Sequence, residues 1–181
     1  MQFEIIRAVP EDIEELTYIM ETVTEGMEKK EWFISDDRDY IEKRISSIPI
    51  AKEDLGFILK AVTQVEGKTR IAGFFMADFP GATERNLGTY LDMGKAVMSR
   101  VAHMDSVVIL PEFRGHKLQY RFLEAAEEVL LKETEYRTLL TTVHPQNQYS
   151  LKNVLSMGYE VAAEVMKYGI YRRYILKKEI G

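Results

Sequence analysis

Val107-Val108-Ile109-Leu110-Pro111-Glu112-Phe113-Arg114-Gly115-His116-Lys117-Leu118 is the stretch on which the reading of this chain turns. It begins inside an apolar run, residues 102–110, of the kind that fills the middle of a buried sheet. A short Gly-containing turn follows and opens directly into a helical pattern. There Leu118, Phe122, Ala125, Val129 and Leu130 fall on one face. A strand that feeds straight into a helix presents the free N–H groups of the helix start. With the helix dipole, these make a natural anion site. Arg114, His116 and Lys117 add cationic side chains at the same point. The segment therefore has the makings of a pyrophosphate cradle. With a single glycine, it also fits a plain βα turn carrying exposed basic residues.

Outward from this segment the pattern is that of a mixed α/β domain. Phe3 and Ile5 alternate with polar neighbours in a first strand ending near Arg7. Pro10, Glu11 and Asp12 form a good helix start, since proline tolerates the first helical position and acids complement the positive end. Ile13, Leu16, Met20, Val23 and Met27 then form one apolar stripe. A second helix is expected from Ser35 or Asp36, with Ile41, Ile45 and Ile48 inward and Pro49 marking its end. Residues 57–64 and 70–79 read as a hairpin around Val65-Glu66-Gly67-Lys68-Thr69. Residues 81–100 show no clear period, and a loop of that length implies a functional excursion with a short helix. Later come a strand over Thr138–Val143, a helix over 148–157 stopped by Gly158, and strands over 161–165 and 170–176. The expected architecture is a single domain over residues 1–181. It has a mixed central sheet of about six or seven strands and about four helices.

Composition narrows the function classes. The 181 residues carry 24 Lys+Arg against 29 Asp+Glu, a net charge of −5, which argues against a nucleic-acid-binding footprint. The absence of cysteine excludes disulfides, thiolate metal sites and cysteine nucleophiles. With only His103, His116 and His144, no multi-histidine metal centre is expected. No apolar run approaches the roughly 20 residues of a membrane span, and no charged-then-apolar leader opens the chain. A cytoplasmic chain with neither a membrane nor a nucleic-acid partner is expected.

Residues 107–118 resemble the acyl-CoA-binding motif of the GNAT superfamily of N-acetyltransferases, apolar-x-V-x-P-x-Y/F-R-G-x-G-x-G/A opening a long helix. Ile6-Arg7-Ala8 with Glu11-Asp12-Ile13 is similar to the family's first strand and helix. Asn147 and Ser150 ahead of Gly158-Tyr159 match its N-x-x-A/S…G-F/Y pattern, and Tyr168-Gly169-Ile170-Tyr171-Arg172 resembles the terminal strand of one bacterial branch. The resemblance implies a GNAT-like sheet with a V-shaped splay between the fourth and fifth strands. Acetyl-CoA is implied as co-substrate, without a metal, and a small-molecule or peptide amine as acceptor. Homodimers are common in the family. It further implies that Val107, Val108 and Ile109 hold the pantetheine arm through their backbone, with the Ile109 N–H at the oxyanion. Arg114, Gly115, His116, Lys117, Leu118 and Gln119 would meet the pyrophosphate, and Asn147 and Ser150 the rest of CoA. Lys117 and Gln119 stand where the motif has its second and third glycines. Val154 stands where many members carry a tyrosine acid for the leaving thiolate.

The amine must lose a proton before or during attack, so a general base is useful. His103 and Asp105 share strand parity with Val107 and Ile109, which by simple alternation puts all four on one face. Both are candidate bases, and His144, at the end of the neighbouring strand, is a weaker one. Tyr149, Tyr168 and Tyr171 are candidate acids, with Tyr171 taken as the catalytic one beside His103 and Asp105. Each also has a purely structural reading, as a strand-end or packing residue. Two other functions fit the same segment: a CoA-binding sensor without turnover, and a nucleotide-phosphate binder. The second lacks any GxxxxGK[ST] or GxGxxG sequence.

Overall fold

The computed structural model describes all 181 residues, Met1–Gly181. Runs dense in apolar and β-branched residues form seven strands: β1 Glu4–Arg7, β2 Gly56–Val65, β3 Lys68–Asp78, β4 Val101–Ile109, β5 Thr138–Val143, β6 Glu160–Lys167 and β7 Tyr171–Glu179. They make one sheet in the order β1-β2-β3-β4-β5-β7-β6, antiparallel at every pairing except β4 with β5. Five α-helices accompany it: α1 Ile13–Glu25, α2 Arg38–Glu42, α3 Lys95–Met98, α4 Leu118–Glu133 and α5 Gln148–Ser156. The fifth, beyond the four anticipated, is the single turn of α3. It is the short helix expected within residues 81–100.

The core forms where α1 and α4 cover β3 and β4. Ile13, Leu16, Ile19, Met20 and Val23 of α1 and Leu118, Phe122, Leu123, Ala126 and Leu130 of α4 are buried. Ala125 and Val129 are only half-buried at the edge of that contact. α1 starts where its sequence allows. A 3-10 turn over Pro10–Asp12 leads in, and the Asp12 carboxylate accepts from the Val9 N–H at 2.8 Å and from the Lys60 ammonium. The helix closes at Gly26, which leaves Met27 outside it.

The second helix is shorter than its apolar spacing suggests. α2 ends at Glu42, and Ile48 is exposed instead of inward. The polar residues after it have other partners: Arg7 bonds Ser46 and the Ser47 carbonyl, and Asp54 accepts from the N–H groups of Ser47 and Ala51. These bonds, most of them to residues well separated in sequence, hold the chain in a loop and compete with helix. At the centre of the sheet, β3 and β4 approach very closely at Gly73. A Cβ there would lie 2.3 Å from the Val108 carbonyl oxygen, so only glycine fits.

Candidate active site

The parallel ladder between β4 and β5 stops early. It pairs Val101 with Thr138, Ala102 with Leu139 and His103 with Leu140, and then ends, although β4 runs on to Ile109 and β5 to Val143. At the point of parting, the Thr141 hydroxyl donates to the Met104 carbonyl at 2.7 Å, satisfying a buried acceptor that the ladder no longer reaches. Past it, β4 has a strand partner on one side only. Leu110 N–H donates to the Ala72 carbonyl at 3.0 Å, and the register with β3 continues back through Phe74–Val108 and Met76–Ser106. In an antiparallel pair the amide direction alternates. The N–H and C=O of Val107 and Ile109 therefore point away from β3, into the gap left by β5. The structure thus contains the splay between the fourth and fifth strands.

The far end of the gap is the turn into α4. Gly115 has φ +82°, and Lys117 sits at the helix N-cap with φ +58°, a left-handed conformation that favours glycine. The motif glycine replaced by Lys117 is thus a position with a backbone requirement, and this sequence meets it with a strained lysine. No side chain caps α4, so its first-turn N–H groups remain available. Arg114 is exposed beside them, its Nε donating to the Ile109 carbonyl at 3.3 Å, and Leu118 is buried. The His116 ring packs on Phe3 and hydrogen-bonds the turn carbonyls of Phe113 and Arg114. Gln119 ties α4 to α5, donating to Ser150 Oγ at 3.0 Å and accepting from Asn153 at 2.8 Å. Asn147 caps α5 through its side-chain oxygen on the Ser150 N–H. Asn147 and Ser150 therefore border the α4 turn. Val154 is buried in the core and puts no hydroxyl there.

At the near end of the gap lies a cleft of about 310 Å³. A β-bulge shapes it. Met76 pairs with Ser106 and Ala77 with Met104, which leaves Asp105 as an extra residue in β4. The bulge breaks the simple alternation. His103, opposite Asp78, now shares a face with Ser106 and Val108, not with Val107 and Ile109. The expectation that the side chains of His103, Asp105, Val107 and Ile109 share one face is corrected accordingly. Ser106 donates to Asp36 at 3.0 Å, and the Tyr40 hydroxyl donates to Asp105 at 2.9 Å, so both side chains reach the α2 side.

Asp105 opens into the cleft and not onto the outer surface. Its side chain is solvent-exposed within the cleft, with the cleft walls standing close around it. That loss of bulk hydration, with the negative charges of Asp36 and Asp78 nearby, raises its pKa to about 7. Desolvation and the Asp105 charge hold the Tyr40 hydroxyl in its protonated form. His103 goes the other way. Burial lowers its pKa to about 4, and its Nε2 already accepts the Leu87 N–H at 3.0 Å. A neutral imidazole whose basic nitrogen is engaged anchors the 81–100 excursion and has little capacity to take a proton from elsewhere. Beneath it, Arg44 and Asp78 form a buried ion pair, with N–O distances of 3.1 and 2.6 Å to one carboxylate oxygen.

Among the anticipated acids, Tyr168 lines the cleft, at a left-handed φ of +54°. Tyr171, opposite Lys167 at the start of β7, stands outside the cleft wall, and Tyr149 is fully exposed on α5. His144 stacks on Trp32 at 6.2 Å between ring centroids. The sequence reading missed Asp36, Tyr40, Arg44, Asp78 and Lys167. Two of these carried a signal: Asp78 is a lone carboxylate in the apolar run 71–79, and Arg44 interrupts the stripe of Ile41 and Ile45. A charge in an apolar pattern asks for a buried partner. No group of three or more His, Asp and Glu side chains is placed to hold a metal ion, and no helix is long and apolar enough to cross a membrane.

Residues 15–159 match the family model described as the acetyltransferase (GNAT) family. No curated protein matches the sequence significantly. Similar solved structures include a GNAT-family acetyltransferase from Streptococcus pneumoniae, 20% identical with a TM-score of 0.68, covering 99% of this chain and 100% of that one. Arabidopsis thaliana NAA60 in complex with acetyl-CoA superposes with a TM-score of 0.75 at 11% identity, over 99% of both chains. A ribosomal-protein-alanine N-acetyltransferase from Brucella melitensis gives 0.68 at 17% identity, over 98% of this chain and 99% of that one. At these identities the likeness is one of fold.

Proposed function

Because the chain belongs to the GNAT family of acetyltransferases, we propose that its single domain transfers the acetyl group of acetyl-CoA to a primary amine by direct attack in a ternary complex. The observation that carries this reading is the ladder that ends at His103 and Leu140 while β4 continues to Ile109. Backbone amides left without partners cost about 1–3 kcal/mol each when buried, so the gap is a template for an extended, amide-bearing arm. The fit extends to the turn, where uncapped helix amides and Arg114 suit a pyrophosphate. Acetyl-CoA, when bound, supplies a thioester carbonyl open to an amine.

The residues divide the work along the gap. Val107 and Ile109 hold the arm through N–H and C=O, with Val108 keeping β4 on β3. Arg114, Gly115, His116, Lys117, Leu118 and Gln119 form the phosphate end, flanked by Asn147 and Ser150. An N–H facing the gap, that of Ile109 or of Val107 nearer the cleft, stabilises the oxyanion. Asp105, titrating near neutrality, accepts the proton released by the amine, and Tyr40 orients its carboxyl. Tyr168, which faces the cleft, is taken over Tyr171 as the group that protonates the departing sulfur; partial desolvation and the Asp105 charge raise its pKa, so the hydroxyl carries its proton.

A second reading, a CoA-binding module without turnover, draws on buried Val154, which leaves the usual acid position without a hydroxyl. Calorimetric titration with acetyl-CoA, followed by thiol release across an amine panel, decides between them. Binding with release supports the transferase. Binding with no release for any amine supports the module, and no binding removes both.

A further inference from the structure

Three cations converge on the cleft beside Asp105: Arg85 from the segment after β3, Lys167 at the end of β6 and Arg173 on β7. Their charges are poorly balanced. Asp78 is already engaged by Arg44 and meets Arg85 only at 3.5 Å. Arg173 is buried and donates to the backbone carbonyls of Arg172 and Glu31. Lys167 makes no salt bridge, and its ammonium lies 4.4 Å from the centroid of the Tyr168 ring. On the same wall stand two further acids, Asp36 and Asp105; partial desolvation raises the pKa of both, and the Asp105 charge reaches Lys167 without a salt bridge. Cations gathered in a partly desolvated cleft are unfavourable unless an anion joins them.

We propose that the acceptor amine carries a carboxylate, seated against Lys167 and Arg85 while the amine faces Asp105, so that the substrate is a small amino-acid-like zwitterion. The inference rests on the acetyltransferase reading above and narrows its acceptor. Charge complementarity places the negative group at Lys167, the cation without a partner. A volume of about 310 Å³ suits a small molecule, and Trp32, Phe33 and Tyr168 give it apolar walls for a side chain.

The test uses L-amino acids, each beside its carboxamide, which removes the negative charge; because the amide also lowers the pKa of the amine, rates are compared per neutral amine. Thiol release from acetyl-CoA should give kcat/KM at least about tenfold higher for the acids. Lys167→Met should erase most of that preference and Lys167→Glu should reverse it, with acetyl-CoA affinity retained as the sign of an intact fold. Titration of the same pairs into the full-length protein reads the preference without turnover. If acids bind more tightly than amides and no acetyl transfer occurs, the acceptor assignment stands and the transferase reading falls. Amides equal to or better than acids would overturn the inference. So would a panel in which no pair binds, or a preference for O-phosphoethanolamine over every carboxylate.

Discussion

Replacing Asp105 with Asn removes the titrating oxygen, keeps the shape, and should separate activity from stability in opposite directions. With a pKa of about 7, roughly a tenth of the wild-type carboxyl is ionised at about pH 6 and about nine-tenths at about pH 8. The acceptor amine adds its own pH dependence equally to both proteins. The ratio of wild-type to Asp105→Asn kcat/KM should therefore rise about tenfold over that interval, and reach about 10²-fold or more at its upper end. Stability runs the other way. The folded-state pKa lies above the unfolded value of 3.8, so the folded chain holds the proton more tightly. That contribution is fully present below about 3.8 and is lost as pH rises through about 7. Cleft water screens the carboxylate, so the penalty at about pH 8 is on the order of 1–2 kcal/mol, below a full conversion of the displacement. Asp105→Asn should melt higher than wild type at about pH 8 and no higher at about pH 4. Thiol-release kinetics across pH and thermal melts read the two halves. A rate ratio that stays flat from about pH 6 to about pH 8 would refute the argument that this carboxyl is the titrating base.

Asp78→Ala strands the buried Arg44 guanidinium and should lower unfolding free energy by about 3–5 kcal/mol; a loss below about 1 kcal/mol in urea denaturation contradicts the pairing. Lys117→Gly relieves the left-handed backbone at the α4 N-cap and should gain about 0.5–1 kcal/mol after the flexibility of glycine is counted. A destabilised variant in the same assay would show that the lysine side chain contributes something the backbone argument omits. Arg114→Glu reverses an exposed charge at the turn and should weaken acetyl-CoA binding about tenfold at low salt with an unchanged melting point. Unaltered affinity would move the pyrophosphate elsewhere.

Much of the fold is legible in the chain because each strand carries its own apolar run and each long helix its own stripe. β5 was located to the residue, Thr138–Val143. The turn into α4 was legible because Pro111, Arg114 and Gly115 act locally. The site was harder to read. Alternation cannot show a single extra residue, so the bulge at Asp105 silently reversed the face of everything before it, and His103 was set beside the wrong neighbours. Asp36 and Tyr40 reach the cleft only because the chain around α2 comes to lie beside β4, bonding Ser106 and Asp105, a tertiary fact with no local pattern. The shortening of α2 was hidden for a related reason. Apolar spacing at Ile45 and Ile48 favours helix, whereas bonds from Arg7 and Asp54, distant in sequence, hold the same residues in a loop.

The extra residue in β4 also makes this strand unusually tolerant of one change in length. Because Met76 already faces Ser106 and Ala77 already faces Met104, deletion of the single codon for Asp105 would leave both flanking ladders in step and turn a kinked strand into a plain one. A screen that scores only folding would pass that deletion, and one that scores acetyl transfer would reject it. The residue proposed as the base is thus one the sheet does not need.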